Sequence, residues 1–356
     1  MGEVVIDWDS EEPVALGGEF SGVFPAEVEG CVLFQTSGSS GVKKWVALPR
    51  EALWWSAEQV VAHLGMTDAD VCGLTIPEWH VGGFGLRTRA NVCGAKLERW
   101  GRRWDAVVFG EWCAAKGVTV SSLVPTQVND LIAAKVKAPS AIRTVVVGGG
   151  ALSRELEKGA AQLGWPVVPS YGMTETSAQV ATGKGLPLID GWEAKTMEDG
   201  RLALRGGGLL RGYVIDGEFF DPKEEGWFVT GDLASVVDGK IRWQGRADRK
   251  VKVLGELIDL EVLEEFWKEQ LGFEVVVIAR PVERRVHELV LIIEGPSGKK
   301  DASIEKKVDR LNLELPGVER AAEVRWVDQM PRSGLGKIDR GVLRCWVFDE
   351  ASKVRR

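Results

Sequence analysis

Nine residues starting at Thr36, Thr36-Ser37-Gly38-Ser39-Ser40-Gly41-Val42-Lys43-Lys44, combine hydroxyls, glycines and two closing lysines directly after the apolar run Cys31-Val32-Leu33-Phe34. Such a loop suits phosphate. Glycines let the backbone turn tightly and bring N–H groups close to an anion, Ser and Thr add donors, and lysine supplies a point charge. A solvated Ser/Gly linker would share this composition, but it explains neither the strand-like run before the loop nor the lysines after it. The Walker loop needs Gly-Lys followed by Ser or Thr, and here Lys44 is followed by Trp45. The expected ligand is a nucleotide held by other means than those of ordinary P-loop NTPases.

Further groups of reactive type are spread along the chain. Tyr171-Gly172-Met173-Thr174-Glu175-Thr176 places an aromatic face, hydroxyls and a carboxylate just after a strand; its alternative reading is a helix N-terminus capped by Thr174 and Glu175. Gly148-Gly149-Gly150, followed by Ala151, succeeds the apolar run Thr144–Val147 directly, and such turns at the carboxyl ends of parallel strands are where ligands collect. Asp232, Arg246, Lys337 and His80, each taken alone, suit a turn, a surface ion pair, a solvated loop and a packed core histidine.

The elements that position these groups alternate. Strand-like runs at Val71–Ile76, Val118–Leu123, Thr144–Val147 and Val167–Pro169 are separated by helix-like Arg50–Leu64, Trp104–Lys116 and Arg154–Leu163, with a helix start at Pro125-Thr126-Gln127. The pattern predicts an α/β fold, with α/β layers around a largely parallel sheet. From about residue 200 short strands take over: Arg201–Arg205, Phe219–Asp221, Trp227–Thr230, Leu233–Val237 and Lys240–Gln244, with a hairpin turn at Asp238-Gly239. Helix Glu261–Leu271, strands Glu274–Ala279 and Leu289–Glu294, helix Ala302–Glu314 and strand Glu323–Val327 complete a small α+β unit. The expected division is a large N-terminal domain over residues 1–247, with its β-rich subdomain at about 200–247, and a mobile C-terminal domain over 248–356.

Composition excludes several classes. The 356 residues are 45% hydrophobic and 27% charged, ample for a large core. A formal net charge of −7 and no basic stripe argue against nucleic acid. No basic leader with an apolar core opens the chain, and no apolar run is long enough to span a bilayer, so no membrane span and a cytoplasmic location are expected. The five cysteines show no C-x-x-C spacing and read as buried free thiols; three scattered histidines argue against zinc.

Five segments, in this order, resemble the motifs of the adenylate-forming superfamily of acyl-CoA synthetases, adenylation domains and luciferases. They are the loop Thr36–Lys44, the segment Tyr171–Thr176, Phe228-Val229-Thr230-Gly231-Asp232, Gly245-Arg246-Ala247-Asp248-Arg249-Lys250-Val251-Lys252 and Pro331-Arg332-Ser333-Gly334-Leu335-Gly336-Lys337-Ile338. The resemblance implies that ATP drives formation of an acyl-adenylate, from which coenzyme A or another thiol displaces AMP. It assigns the β- and γ-phosphates to Thr36, Ser37, Gly38, Ser39, Ser40, Gly41 and Lys44. Mg2+ goes to Glu175, with Thr174 beside it; Lys337 bridges the carboxylate and the α-phosphate. Tyr171, Gly172 and Met173 with Gly149, Gly150 and Ala151 line the base pocket, Asp232 and Arg246 hold the ribose, Asp248 is the hinge, and Gly255 and Glu256 line the thiol's approach.

The segment Ile76-Pro77-Glu78-Trp79-His80-Val81-Gly82-Gly83-Phe84-Gly85-Leu86-Arg87-Thr88-Arg89 resembles the acyl-pocket motif, most nearly that of the o-succinylbenzoate–CoA ligases of menaquinone biosynthesis. This implies a small carboxylic acid substrate contacted by His80, Gly82 and Gly172, with a second carboxylate met by Arg87 or Arg89; either arginine is equally suited to a structural ion pair. The chain departs from the family at Lys43, where Pro is usual, at bulky Trp45, and in having little chain before the phosphate loop. What covers that side of the sheet is open, and a monomer or a homodimer is expected. Two other functions fit the same motifs: loading of a carrier protein's phosphopantetheine, and nucleotide-binding regulation without catalysis.

Overall fold

The structure, a computed structural model, describes residues 6–37, 43–282, 286–295, 302–332 and 338–354. The chain gathers into two units: of the described residues, the first comprises 6–36, 43–230 and 234–243, and the second Ser37, Gly231–Leu233 and the residues from Gln244 onward.

In the first unit a six-stranded sheet runs in the order Lys96–Arg99, Val71–Leu74, Val120–Leu123, Thr144–Val147, Val167–Tyr171, Ala181–Thr182. The first five are parallel, in registers such as Cys72 opposite Leu97 and Val120, and Val146 opposite Ser122 and Val168; only Ala181–Thr182 is antiparallel. Strands covered on both faces read as unbroken apolar runs, as Val145-Val146-Val147 does, all three residues buried. Helices Val81–Cys93, Ala106–Lys116, Pro125–Ala133 and Arg154–Gln162 connect successive strands. Asp105 accepts from Val108 N at 3.0 Å and Ser153 from Leu156 N at 3.2 Å, so side-chain caps fix two of the helix starts. Gly65, Gly94 and Gly117 end three helices in the left-handed conformation that residues with a Cβ avoid.

The chain's second strand in this sheet lies outside its first, and the third returns to the first strand's other side. A reversal of direction therefore falls between Val71–Leu74 and Val120–Leu123. Open sheets of this type bind ligands at the carboxyl ends flanking such a reversal.

A five-stranded sheet joins Val14–Leu16, Cys31–Ser37, Lys43–Pro49, Gly212–Ile215 and Glu218–Phe220, and another joins Glu193–Thr196, Arg201–Arg205, Trp227–Val237 and Lys223–Glu224, with Lys240–Arg246 also on Trp227–Val237. Trp45 lies in the core of the former sheet, 5.5 Å from the Phe20 ring, which is how the chain absorbs a bulky residue one position after the loop lysine. Asp238 and Gly239 both have positive φ, 50° and 67°, as the predicted tight hairpin turn requires.

Several expectations shift. Strand Val71–Leu74 stops before Ile76, and helix Ala106–Lys116 begins after its Asp105 cap instead of at Trp104. Trp227–Val237 is one continuous strand, because burial alternates residue by residue from Phe228 to Ala234 and carries the backbone through Gly231-Asp232. Cys31, Cys72 and Cys113 are buried, and burial pushes their thiols up to about 11, 12 and 12, but Cys93 is half-buried and Cys345 exposed, so the reading of all five as core thiols is corrected.

The second unit has a three-stranded sheet, Val275–Val282, Val286–Glu294 and Ala321–Val327, with helices Leu260–Leu271, Ala302–Glu314 and Arg340–Val354. Its centre holds an ionic knot: Glu264 accepts from Arg340 Nη1 and Nη2 at 2.7 Å each, from Arg249 Nη2 at 2.5 Å and from Val277 N at 2.7 Å. A buried carboxylate is tolerable only when so fully met.

Asp70 ties the parallel sheet to its helices. It accepts from Arg143 Nε at 2.9 Å and Nη2 at 2.7 Å, from Thr119 Oγ1 at 2.7 Å and from Thr67 N at 2.9 Å, while Arg143 also donates to Leu64 O and Gly65 O. The Arg143 guanidinium, outweighing burial, holds this carboxyl down at about 2, against an ordinary 3.8. A depressed carboxyl stabilises the fold above its ordinary range and loses that contribution as pH falls through the depressed value. Asp70→Asn is expected to cost about 2 kcal/mol at neutral pH and to flatten the loss of stability between pH 4 and 2, read by urea unfolding across that range.

Candidate active site

The carboxyl ends of the parallel strands bring the sequence motifs of the first unit to one edge. After Leu74 the chain runs through Thr75, whose hydroxyl donates to Ser122 O at 2.6 Å and so links the two strands that flank the reversal. Pro77-Glu78-Trp79 follows, then His80, which caps helix Val81–Cys93: its Nδ1 accepts from Gly82 N at 3.1 Å, which leaves the ring proton of the neutral form on Nε2. A Cβ at Gly83 would stand 2.3 Å from the Ile76 and Pro77 carbonyl oxygens, so the first turn of this helix can lie on the loop only as glycine. The paired glycines thus serve a helix, not the loop that their composition suggests.

Arg87 and Arg89 lie on this helix and both are buried. Arg87 Nε pairs with Glu78 Oε1 at 3.5 Å. Arg89, 3% exposed, donates to Gln179 Oε1, and burial pulls its guanidinium down to about 10. Gln179 in turn donates to Ser170 Oγ at 3.0 Å and Thr182 Oγ1 at 2.8 Å.

After Val147 come Gly148, Gly149 and Gly150 with Ala151; Gly149 has φ of 75° and the last three of these residues are exposed. After Tyr171 comes a turn in which a Cβ at Gly172 would lie 1.6 Å from Ala178 O, which no side chain can satisfy. Met173 N donates to Thr176 Oγ1 at 3.1 Å, and Ser177 and Ala178 both take positive φ, 52° and 93°. Buried tethers hold this turn: Ser177 Oγ donates to Gly208 O at 2.9 Å, and Ser56 Oγ to Ser177 O at 3.2 Å. The alternative of a capped helix start is overturned, because Thr174–Thr176 is a single 3-10 turn. Two consecutive non-glycine residues of positive φ store strain that the surrounding contacts must hold.

The turn presents Glu175. Lys44 Nζ lies 3.1 Å from its Oε1, Tyr213 donates its hydroxyl to the same oxygen at 3.0 Å, and the ammonium stands 3.8 Å above the Tyr213 ring centroid. Burial and the facing Glu175 carboxylate push the Tyr213 phenol up from its usual range, which keeps it a donor. Oε2 of Glu175 has no hydrogen-bonding partner among the described residues. Tyr213 was not anticipated from sequence. The available signal was scarcity: a chain with fifteen tryptophans and eleven phenylalanines has two tyrosines, and both stand here.

In the second unit, Arg246 is held between two carboxylates, with Nη1 3.3 Å from Asp232 Oδ1 and Nε donating to Asp248 Oδ1 at 2.9 Å. A Cβ at Gly231 would approach Arg246 Nη2 to 2.8 Å. Gly255, with φ of 91°, lies in the tight turn between strands Lys250–Val253 and Glu256–Asp259, and Glu256 is exposed. Lys337 and the loop residues Gly38, Ser39, Ser40 and Gly41 lie outside the described residues, as does the side chain of Ser37; Thr36 donates to Lys44 O at 3.5 Å.

Among the described residues no three His, Cys, Asp or Glu side chains gather as a metal cage. One carboxylate completed by phosphate oxygens is how Mg2+ is commonly held in nucleotide sites, and the ammonium on Glu175 shows that a cation fits there.

A model of the AMP-binding enzyme family matches residues 9–214, more than half of the chain. A 2-succinylbenzoate–CoA ligase of Listeria monocytogenes is 27% identical over 329 residues, which cover 87% of this chain and 68% of that protein. One from Geobacillus kaustophilus is 29% identical over 227 residues, 58% of this chain and 46% of the relative, so the chain spans about half the length of some curated relatives that it matches. The solved o-succinylbenzoate CoA synthetase MenE of Bacillus subtilis, in complex with the acyl-adenylate OSB-AMP, superimposes with a TM-score of 0.74 at 22% identity, covering 88% of this chain and 68% of that one. At that identity the likeness establishes the fold. Among the described residues no helix is long and apolar enough to cross a membrane.

The clash at Gly172 gives a direct test of the turn. Gly172→Ala is expected to destabilise the first unit by about 3 kcal/mol or more, measured by chemical denaturation, whereas Gly148→Ala, where a Cβ meets nothing within 4 Å, is expected to be near neutral.

Proposed function

The chain belongs to the AMP-binding enzyme family, and on that premise we propose that it is an ATP- and Mg2+-dependent acid–thiol ligase that converts o-succinylbenzoate into its coenzyme A thioester. The observation that carries the nucleotide chemistry is the cation seated on Glu175 at the carboxyl edge of the parallel sheet. The substrate class is carried by the likeness, over 87% of the chain, to a 2-succinylbenzoate–CoA ligase.

In the first step an oxygen of the substrate carboxylate attacks the α-phosphorus of ATP. A new P–O bond forms, the α–β anhydride breaks, and pyrophosphate leaves. Two anions must meet, so the chain's main task is to neutralise charge. Lys44 and the Thr36–Gly41 loop bind the β- and γ-phosphates, Tyr171 and the Gly149–Ala151 turn take the base, and Asp232 with Arg246 takes the ribose hydroxyls. Lys337 holds the α-phosphate and the attacking carboxylate together. Mg2+, when bound, supplies Lewis-acid stabilisation of the phosphate oxygens, and Glu175, with Thr174 beside it, is the side chain that would hold it.

In the second step the thiol of coenzyme A attacks the acyl carbonyl. A C–S bond forms, the acyl–phosphate C–O bond breaks, AMP leaves and the thiol proton passes to solvent. Rotation of the C-terminal domain about Asp248 brings Gly255 and Glu256 to the thiol's path. His80 and Gly82, at the helix start, and Gly172 border the acyl group. A second carboxylate on the substrate needs a cation, and of the two arginines nearby Arg89 is the one whose described partner is a neutral amide.

Purified protein incubated with ATP, Mg2+ and coenzyme A against a panel of o-succinylbenzoate, benzoate, phenylacetate and a medium-chain fatty acid is expected to give o-succinylbenzoyl-CoA by mass spectrometry. Thioester formation from another acid alone would discard the substrate, and AMP release without thioester would point to a carrier-protein acceptor. Lys337→Ala is expected to slow adenylation by about 100-fold or more while nucleotide affinity changes by less than about 3-fold, the pattern of a group whose contribution grows in the transition state.

A further inference from the structure

Tyr213 combines three features that packing alone does not require. It lies on strand Gly212–Ile215 opposite Val46, only 8% exposed, where a phenylalanine would fill the same space. Its hydroxyl is donated to Glu175 Oε1, the oxygen that also receives Lys44. Its ring face lies under the Lys44 ammonium, an arrangement that is attractive in its own right. Ring, hydroxyl and carboxylate oxygen together make one seat for one cation.

A divalent ion on the same oxygen would face the Lys44 charge at close range, so the two cations exclude each other. Phosphate is the group able to draw the lysine away.

We propose that Tyr213 is the positioning residue of the metal site: its hydroxyl fixes the Glu175 carboxylate, and its ring holds Lys44 on Oε1 until nucleotide phosphates take the ammonium and release that oxygen to the divalent ion. Nucleotide and metal then bind with positive coupling, and the coupling runs through Glu175 and its two neighbours. The proposal rests on the reading of Glu175 as the metal ligand.

The test measures ATP affinity of the full chain by calorimetry in EDTA and in Mg2+, the ratio of the two being the metal enhancement. Tyr213→Phe is expected to keep its EDTA affinity within about 2-fold and to lose about 5- to 10-fold of the enhancement, the net scale of one intramolecular hydrogen bond. A purely packing role would move both affinities and the melting temperature together; that outcome, or an unchanged enhancement in folded Y213F, overturns the proposal. Glu175→Gln separates the two readings. Loss of enhancement in E175Q beside an unchanged Y213F removes Tyr213 alone, whereas unchanged enhancement in both removes the metal reading of Glu175 and this proposal with it. Lys44→Met supplies a measurement independent of whether Y213F folds: with the internal cation gone, Mn2+ without nucleotide is expected to bind at least about 3-fold more tightly than to the wild-type chain, since the competing charge on that oxygen is removed. Equal Mn2+ affinity overturns the shared oxygen.

Discussion

In a parallel sheet every strand must leave by the same edge, and the first unit follows from that constraint. Five parallel strands deliver five loops to one side. The turns that follow Leu74, Val147 and Tyr171 carry His80, the glycine triplet and Glu175 without any need for these residues to be near one another in sequence. The reversal beside Val71–Leu74 opens a crevice at that edge, since adjacent connections pass to opposite sides of the sheet there. The hydrogen bond from Thr75 to Ser122 O keeps the two flanking strand ends in register. Rigidity where chemistry is placed comes from backbone that has nowhere else to go, as at Gly172 and Gly83.

Charge is handled in two contrasting ways. Glu264 is saturated, with two guanidinium groups and a backbone N–H committed to it, and a carboxylate so enclosed can only hold its unit together. Glu175 keeps one oxygen occupied by a lysine and a phenol and the other without a partner among the described residues. The first arrangement is costly to disturb; the second is built for exchange. Arg246, bridging Asp232 and Asp248, stands between these extremes, since its guanidinium is partly exposed.

The alternation of apolar runs and amphipathic stretches was enough to read the α/β order, and helix Arg50–Leu64 was legible to both ends because Pro49 and Gly65 bracket it. Helix Val81–Cys93 was not. Gly82, Gly83 and Gly85 look like loop residues, and the reason position 83 is glycine, the close approach of the Ile76 and Pro77 carbonyls, is a tertiary fact with no periodic trace. Gly231-Asp232 has the composition of a turn, and the two-residue alternation of burial that carries Trp227–Val237 straight through it shows only in the folded sheet. The motif residues themselves were legible through their resemblance to a family; the partner of Glu175 was not. Tyr213 sits on a four-residue strand, 38 positions from the turn that carries Glu175, and a contact between a strand and so distant a turn leaves no mark on local sequence.

The distribution of sulfur carries a practical consequence. Three thiols are walled into the first unit's core, where burial suppresses the thiolate that oxidants and electrophiles attack. Cys345, on the outer face of helix Arg340–Val354, has no such shelter. A maleimide dye is therefore directed first to the C-terminal helix, and only second to half-buried Cys93 at the end of helix Val81–Cys93.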